Sequence, residues 1–280
     1  MEILQIPPLR APVMIFAFGG WNDAGEAATG SASHLLNIWE HSVIARFDPE
    51  DFYDFQVNRP MVFVDDSKIR QITWPTTEVF GILTPQFDFD LVVVKGLEPS
   101  MRWKRFTSDL LDLADDLEVS MILTVGSLLA DTPHSRPISV SGSGSHPEIA
   151  KRLGVEVSRY EGPTGILGVL QEAAQSRGVD AISLWAAIPH YASSSPSPKA
   201  TLALINALED FLNISIPLGD LSEQSRMWET GIDEMTQEDA DLGEYVRQLE
   251  ASKDETELPE ATGEAIAREF ERYLRRRNIE

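Results

Sequence analysis

No cysteine occurs among the 280 residues, which excludes disulfides and thiolate metal sites and is compatible with an intracellular address. Long hydrophobic runs are missing too: none approaches the roughly 18 residues that span a bilayer. The opening Met1-Glu2-Ile3-Leu4-Gln5 lacks the positive region of a secretory leader. The expected location is cytoplasmic. Positive charge is scarce, with 23 Lys and Arg against 45 Asp and Glu and a net charge of −22. That balance argues against a nucleic-acid backbone or an anionic membrane as partner. From Gly219 to Glu280 the chain carries 18 acids and 8 bases, so nearly half of the net charge lies in the last 62 residues. There is no Gly-x-Ser-x-Gly elbow, Walker loop, Gly-x-Gly-x-x-Gly or His-Glu-x-x-His, so the common nucleophile, phosphate, dinucleotide and zinc signatures have no foothold. No metal site and no cofactor are expected, and no internal repeat is found.

What is present is enough for a core. At 42% hydrophobic, the chain can bury one large core, or one core with a small appendage. It is organised around Pro12 to Ala28, where the apolar run Val13-Met14-Ile15-Phe16-Ala17-Phe18 leads into Gly19-Gly20 and then a helical pattern. Asp23 with Glu26 three residues on is the spacing of a capping box, which sets a helix start at Ala24. A strand feeding a glycine turn and a helix is how an α/β domain begins, and where it keeps a pocket.

The helix continues through Trp39, and Val43–Phe47 reads as a second strand. Asp48–Asn58 has no clean period and reads as irregular. Met61–Val64 and Gln71–Trp74, separated by Asp65-Asp66-Ser67-Lys68, read as paired strands, continued by Glu78–Leu83 into an antiparallel edge. Asp90–Gly96 is the clearest buried strand. A helix from about Met101 to Leu117 follows, then a strand from Val119 that ends at Gly126. Leu128–His146 reads as a long Ser-, Gly- and Pro-rich loop, a length that tends to be functional. A short helix at Pro147–Leu153, a strand at Val155–Val157, a helix capped by Thr164, a last core strand at Ala181–Ile188 and a helix begun by Ser197-Pro198 complete the pattern. Alternating strands and helices imply a mainly parallel sheet. The fold class expected is α/β, a three-layer mixed sheet, with a core over residues 1–218. Residues 219–280 form an acidic helical appendage, with a linker at Ser252–Pro259 and a final helix at Ala261–Arg277 presenting Ile266, Phe270, Tyr273 and Leu274.

Polar residues follow the putative core strands, where an open parallel sheet places its ligands. They are Gly19, Gly20, Asn22 and Asp23, then Glu98, then Ser127 with Asp131, His134 and Arg136, and finally His190-Tyr191. Asp131, His134 and Arg136 supply an acid, a base that switches near neutrality and an anion-binding fork. His134, His190 and Asp131 are the catalytic candidates. Gly19, Gly20, Asn22, Asp23, Glu98, Arg136 and Tyr191 are the ligand-binding candidates. Each also has a plain reading. Asn22 and Asp23 can cap a helix, Glu98 can complement the helix after Pro99, and the loop residues can be solvated. His34 and His41 are read as structural or solvated.

Four segments carry a family resemblance: Phe18-Gly19-Gly20-Trp21-Asn22-Asp23-Ala24-Gly25, Gly96-Leu97-Glu98-Pro99, Leu129-Ala130-Asp131-Thr132-Pro133-His134-Ser135-Arg136-Pro137 and Pro189-His190-Tyr191. In this order they resemble the proteasome assembly chaperone 2 family, in its actinobacterial-type branch, over roughly Ile6 to Leu212. The resemblance implies a phosphorylase/hydrolase-like α/β fold, homo-oligomers and protein partners, with no established reaction. Some relatives dock on the proteasome ring through a C-terminal hydrophobic-Tyr-any tripeptide. This chain ends Arg277-Asn278-Ile279-Glu280, which departs from that pattern. The expected function is binding or assembly. The alternative is a phosphorylase- or hydrolase-like enzyme or ligand-binding protein that takes a small anionic substrate, using His134 or His190 with Arg136.

Overall fold

The computed structural model describes residues 1–144, 147–257 and 275–276. The elements are β1 (Glu2–Ile3), β2 (Val13–Gly19), α1 (Ala27–Ile38), β3 (His41–Arg46), α2 (Pro49–Phe52), β4 (Met61–Val64), β5 (Arg70–Thr73), β6 (Thr77–Ile82), β7 (Leu91–Leu97), α3 (Trp103–Asp116), β8 (Met121–Ala130), β9 (Val140–Gly144), α4 (Pro147–Leu153), β10 (Glu156–Val157), α5 (Ile166–Ser176), β11 (Ala181–Pro189), α6 (Pro198–Leu212), α7 (Leu221–Glu238) and α8 (Ala240–Glu257). Nine strands form one sheet in the order β1-β3-β6-β7-β2-β8-β11-β9-β10, and β4-β5 form a second, two-stranded sheet. The fold is α/β with a mixed sheet. Among the described residues, no helix is long and apolar enough to cross a membrane.

The backbone divides into two compact units. The first comprises Met1–Asn22, Trp39–Val125 and Gly142–Ser183; the second comprises Asp23–Ile38, Gly126–Ser141 and the chain from Leu184 onward. In the first unit β2 pairs in parallel with both β7 and β8, with Phe16 opposite Val94 on one side and Thr124 on the other. Strands flanked on both edges and covered on both faces need no polar side, which is why β2 and β7 read as unbroken apolar runs. β6 is not an edge: it lies antiparallel between β3 and β7. Asp48–Asn58 is not wholly irregular, because Asp48 caps the four-residue α2, accepting from Glu50 N at 3.0 Å, with Pro49 at its first position. α2 buries Phe52 beside Phe47 and Phe106, with ring centroids 4.6–5.4 Å apart. The Ser-Gly run Val140–Gly144 is a strand, paired in parallel with β10. At Gly144, a Cβ would sit 3.5 Å from the Ala150 backbone, an ordinary contact between strand and helix.

In the second unit α6 packs against both α1 and α7, and α7 meets α8. α1 starts at Ala27 and not at Ala24, because Gly25 and Glu26 adopt left-handed φ of 58° and 51°. A Cβ on Gly25 would lie 2.9 Å from Ser197 Cβ, and Ser197 N donates to Gly25 O at 2.8 Å. β8 continues past Gly126 to Ala130, since the Trp185 ring occupies the space a Cβ at Gly126 would need, 2.7 Å away. The long loop therefore shrinks to Asp131–Ser139. Ser197 takes the N-cap position of α6 without a capping bond from its side chain. The linker placed at Ser252–Pro259 is helical through Glu257, as part of α8. The expected helix at Ala261–Arg277 and the terminal residues 277–280 lie outside the described residues, 275 and 276 apart.

Candidate functional site

The turns singled out in the sequence gather as separate groups within the units. In the first unit, Gly19 ends β2 opposite Leu97, and its carbonyl accepts from Glu98 N at 2.8 Å. Gly20 turns the chain at a φ of 117°, with Glu98 Cβ 3.6 Å from where its own Cβ would be. This brings Asn22 to Glu98: Asn22 Nδ2 donates to Glu98 Oε1 at 2.8 Å, and the same oxygen accepts Ile166 N at 2.8 Å. Glu98 is therefore spent on the N-terminus of α5 and not on the helix that follows it in sequence. Thr164 is not that cap either, since Gly165 holds the N-cap position. Asn22 caps no helix. Its Oδ1 is buried without a hydrogen-bond partner among the described residues.

In the second unit, Asp23 does cap α1, from further back than the capping-box spacing predicts. Its Oδ1 accepts Ala28 N at 2.7 Å and Thr29 N at 3.2 Å, and its Oδ2 accepts the Thr29 hydroxyl. Burial pushes the Asp23 carboxyl up, against these three hydrogen bonds. Ser127 lies alongside, bridged to Asp23 through the backbone and donating its hydroxyl to Ala24 O at 2.8 Å.

The loop Asp131–Ser139 carries the remaining candidates and is held by α6, α7 and α8. His134 is buried. The Tyr191 hydroxyl accepts from His134 N at 2.7 Å and lies 2.8 Å from His134 Nδ1, while Nε2 lies 3.0 Å from Asp233 Oδ1 on α7. The Asp233 carboxylate can only accept, and with the ring proton on Nε2 the Tyr191 hydroxyl is left to donate to Nδ1. Burial, together with the Glu250, Tyr245 and Asp233 side chains, pushes the Tyr191 hydroxyl up to about 12, against the His134 N–H. Tyr191 is thus a protonated donor at neutral pH. Lys199 on α6 donates to His134 O and pairs with Glu229 on α7 at 2.9 Å.

Arg136 makes a two-pronged pair with Asp254 on α8, at 2.8 Å through both Nε and Nη2, and also approaches Glu250 at 3.4 Å. The guanidinium bond holds the Asp254 carboxyl below its usual range. His190 Nδ1 lies 3.2 Å from Asp131 Oδ1, which also accepts the Tyr245 hydroxyl at 3.2 Å. The rings of His190, Tyr191 and Tyr245 meet edge to face at 5.5–6.1 Å. Lys253 reaches back to Pro137 O at 3.1 Å and Ser139 Oγ at 3.0 Å.

Asp131, His134, Arg136, His190 and Tyr191 are thus brought into one cluster, with contacts that tie a loop to three helices. Lys199, Asp233, Tyr245, Glu250 and Asp254 were not foreseen. Lys199 sits in the first turn of α6, and the only signal of the other four is membership of an acidic helical segment, where nothing in the linear order distinguishes one carboxylate from its neighbours. A cavity of about 600 Å³ lies beside this loop, between Ser135–Ile138 and the face of α6 that carries Leu202, Ala203, Asn206 and Asp210. Neither His134 nor His190 lines it. Among the described residues, no group of three or more His, Asp or Glu is placed to hold a metal ion.

The family model described as PAC2 family matches residues 17–236. A PAC2 family protein from Streptomyces avermitilis is 51% identical in its crystal structure, with a TM-score of 0.78, over 84% of this chain and 99% of that one. A proteasome-assembly chaperone homologue from Mycobacterium tuberculosis is 45% identical, with a TM-score of 0.76 over 84% and 99% of the two chains. An archaeal proteasome activator from Pyrococcus furiosus, 18% identical over 84% and 97%, shares the fold with a TM-score of 0.67. No curated protein matches the chain.

Proposed function

This chain belongs to the PAC2 family, and we propose that it is a cytoplasmic, self-associating assembly factor whose partner is the proteasome or its unassembled subunits. The names borne by the mycobacterial and archaeal proteins support that direction. So does one observation on this chain: three groups suited to an anionic ligand, among those the sequence singles out, already hold a carboxylate of the chain itself. The first N–H groups of α1 hold Asp23, the first of α5 holds Glu98, and Arg136 holds Asp254. A small anionic substrate entering at any of these points would have to displace an intramolecular partner, at a cost its own binding must exceed. The enzyme reading also pairs His134 or His190 with Arg136, and the cavity beside Arg136 has neither histidine in its wall.

In this reading the core of residues 1–218 is the scaffold, and the acidic segment 219–280 is the partner-facing appendage, its helices α7 and α8 anchored to the loop Asp131–Ser139. Neither nucleic acid nor a membrane is a partner, in keeping with the charge of −22.

The test is a thermal-shift screen of the full chain against nucleosides, nucleotides, phosphate, amino acids and short peptides. Specific binding to the folded state raises the unfolding midpoint by mass action. The expected result is no concentration-dependent rise for the small anions. A saturable rise that disappears in Arg136→Ala would overturn the reading and define a substrate class.

A further inference from the structure

In the first unit, both strands of the ribbon β4–β5 are exposed along their whole length. Met61 is 69% exposed, Val64 64% and Phe63 49%, and Val62, Ile72 and Trp74 are exposed as well. A two-stranded ribbon is marginal on its own, and large apolar side chains on both faces of one need a cover. Four of these six side chains, Met61 to Val64, belong to β4 itself.

The backbone of the ribbon adds a second requirement. β4 and β5 pair with Phe63 opposite Gln71 and Val64 opposite Arg70, and beyond them Asp65 N donates to Ile69 O at 3.0 Å. Bonded and non-bonded pairs alternate in an antiparallel ladder. Counting back from Asp65, Phe63 and Met61 face Gln71 and Thr73 as bonded pairs, which turns the backbone groups of Val62 and Val64 to the outer edge of β4. Neither strand has another neighbour among the described residues. The edge strand itself, Met-Val-Phe-Val, carries no Lys, Pro or other charge of the kind that keeps such edges from pairing.

We infer that the outer edge of β4 pairs antiparallel with β4 of a second copy of this chain about a two-fold axis at Phe63. The inference rests on the self-association in the reading above and adds its surface. A strand edge is complementary to itself under a two-fold. In this register Val62 of one copy exchanges hydrogen bonds with Val64 of the other, and the two Phe63 side chains meet as a non-bonded cross-strand pair. Arg59 falls diagonal to Asp65 of the second copy, a pairing of opposite charge. Electrostatics favours this place over others: Val57–Trp74 holds three bases and two acids, a net +1, in a chain of net −22. Repulsion between copies is therefore small here.

The absence of cysteine makes the test direct, because Phe63→Cys carries one thiol per chain. Opposed residues of a non-bonded pair have Cα atoms about 4.5 Å apart, within the span of a disulfide. The expected result is a dimer of the full-length chain in sedimentation velocity, a covalent dimer from oxidised F63C, and at least tenfold weaker self-association in the double variant Val62→Lys, Val64→Lys. Those lysines lower the net negative charge, so overall repulsion cannot account for the weakening. Circular dichroism and an unchanged unfolding midpoint at low concentration verify that the double variant is folded. A wild-type monomer at all concentrations overturns both this inference and the self-association it rests on. A dimer that persists in the lysine variant, or F63C that stays uncrosslinked, overturns the β4 pairing alone and leaves self-association to another surface. A monomer whose ribbon is bound by a different protein also overturns it.

Discussion

Glu98 caps a helix 68 residues away in sequence: its Oε1 accepts the backbone N–H of Ile166, at the start of α5, at 2.8 Å. The same oxygen holds the Asn22 amide, so one carboxylate joins the turn after β2, the turn after β7 and the first turn of α5. Glu98→Ala is expected to lower stability by about 2 kcal/mol, the loss of a cap plus an unpaired amide, and Glu98→Gln by clearly less, because its carbonyl can still accept. Denaturant unfolding of the three proteins checks this. Equal stability of Ala and wild type would show the cap to be idle.

Asp90 is the anchor of another turn. Burial opposes its charge, but hydrogen bonds from the Arg10 side chain, from Thr84 N and from Arg10 N outweigh it and hold the carboxyl down at about 2. A carboxyl with a depressed folded value stabilises the fold above its unfolded value of about 4 and loses that contribution as pH falls through the folded one. Stability should therefore drop between about pH 4 and pH 2, and Asp90→Asn should flatten that part of the profile while costing about 2 kcal/mol at neutral pH. Urea midpoints measured across that range give the answer. An unchanged slope in Asp90→Asn would assign the acid sensitivity elsewhere.

At Gly25 a backbone conformation and a close approach coincide. With φ at 58° and Ser197 Cβ 2.9 Å from a built Cβ, Gly25→Ala is expected to cost about 2–3 kcal/mol. Gly178, with a φ of 80° and nothing within 4 Å, should lose only about 1 kcal/mol on the same change. Thermal midpoints of the two variants compare strain with crowding against strain alone.

Glu209 is fully buried, and its carboxylate accepts Ile216 N at 2.7 Å and pairs with Arg276. Removing a partner from a buried charge costs more than the pair itself is worth. Arg276→Ala should therefore destabilise by about 2–3 kcal/mol, and adding Glu209→Gln should recover part of that loss. A double-mutant cycle by chemical denaturation measures the coupling. Additive losses would mean the two side chains act independently.

How much of this was legible depends on distance along the chain. β2, β7 and β11 declared themselves because a strand covered on both faces is a continuous apolar run, and α3 because Phe106, Leu110 and Leu113 repeat at helical spacing. α2 was missed because four residues are shorter than any periodic window. β8 was cut short at Gly126 because a glycine after a strand reads as a turn, and only Trp185 explains why it is not one here. The site candidates were found as residue types, since acids, histidines and an arginine stand at strand ends. Their roles were not, because the partners lie far off: Asp233 for His134, Asp254 for Arg136, Ile166 for Glu98. A run of near-equivalent carboxylates on α7 and α8 gives no local clue to which one meets which base.

An assembly factor must bind its protein partner. Sedimentation velocity of the full chain, mixed with unassembled proteasome subunits and separately with the assembled core particle, measures that binding. This chain is expected to co-migrate with at least one of the two at concentrations of about 1–10 µM, the range of a micromolar interaction, in a complex that weakens with added salt as pairing through an acidic segment demands. Independent migration of all components up to about 100 µM would contradict it.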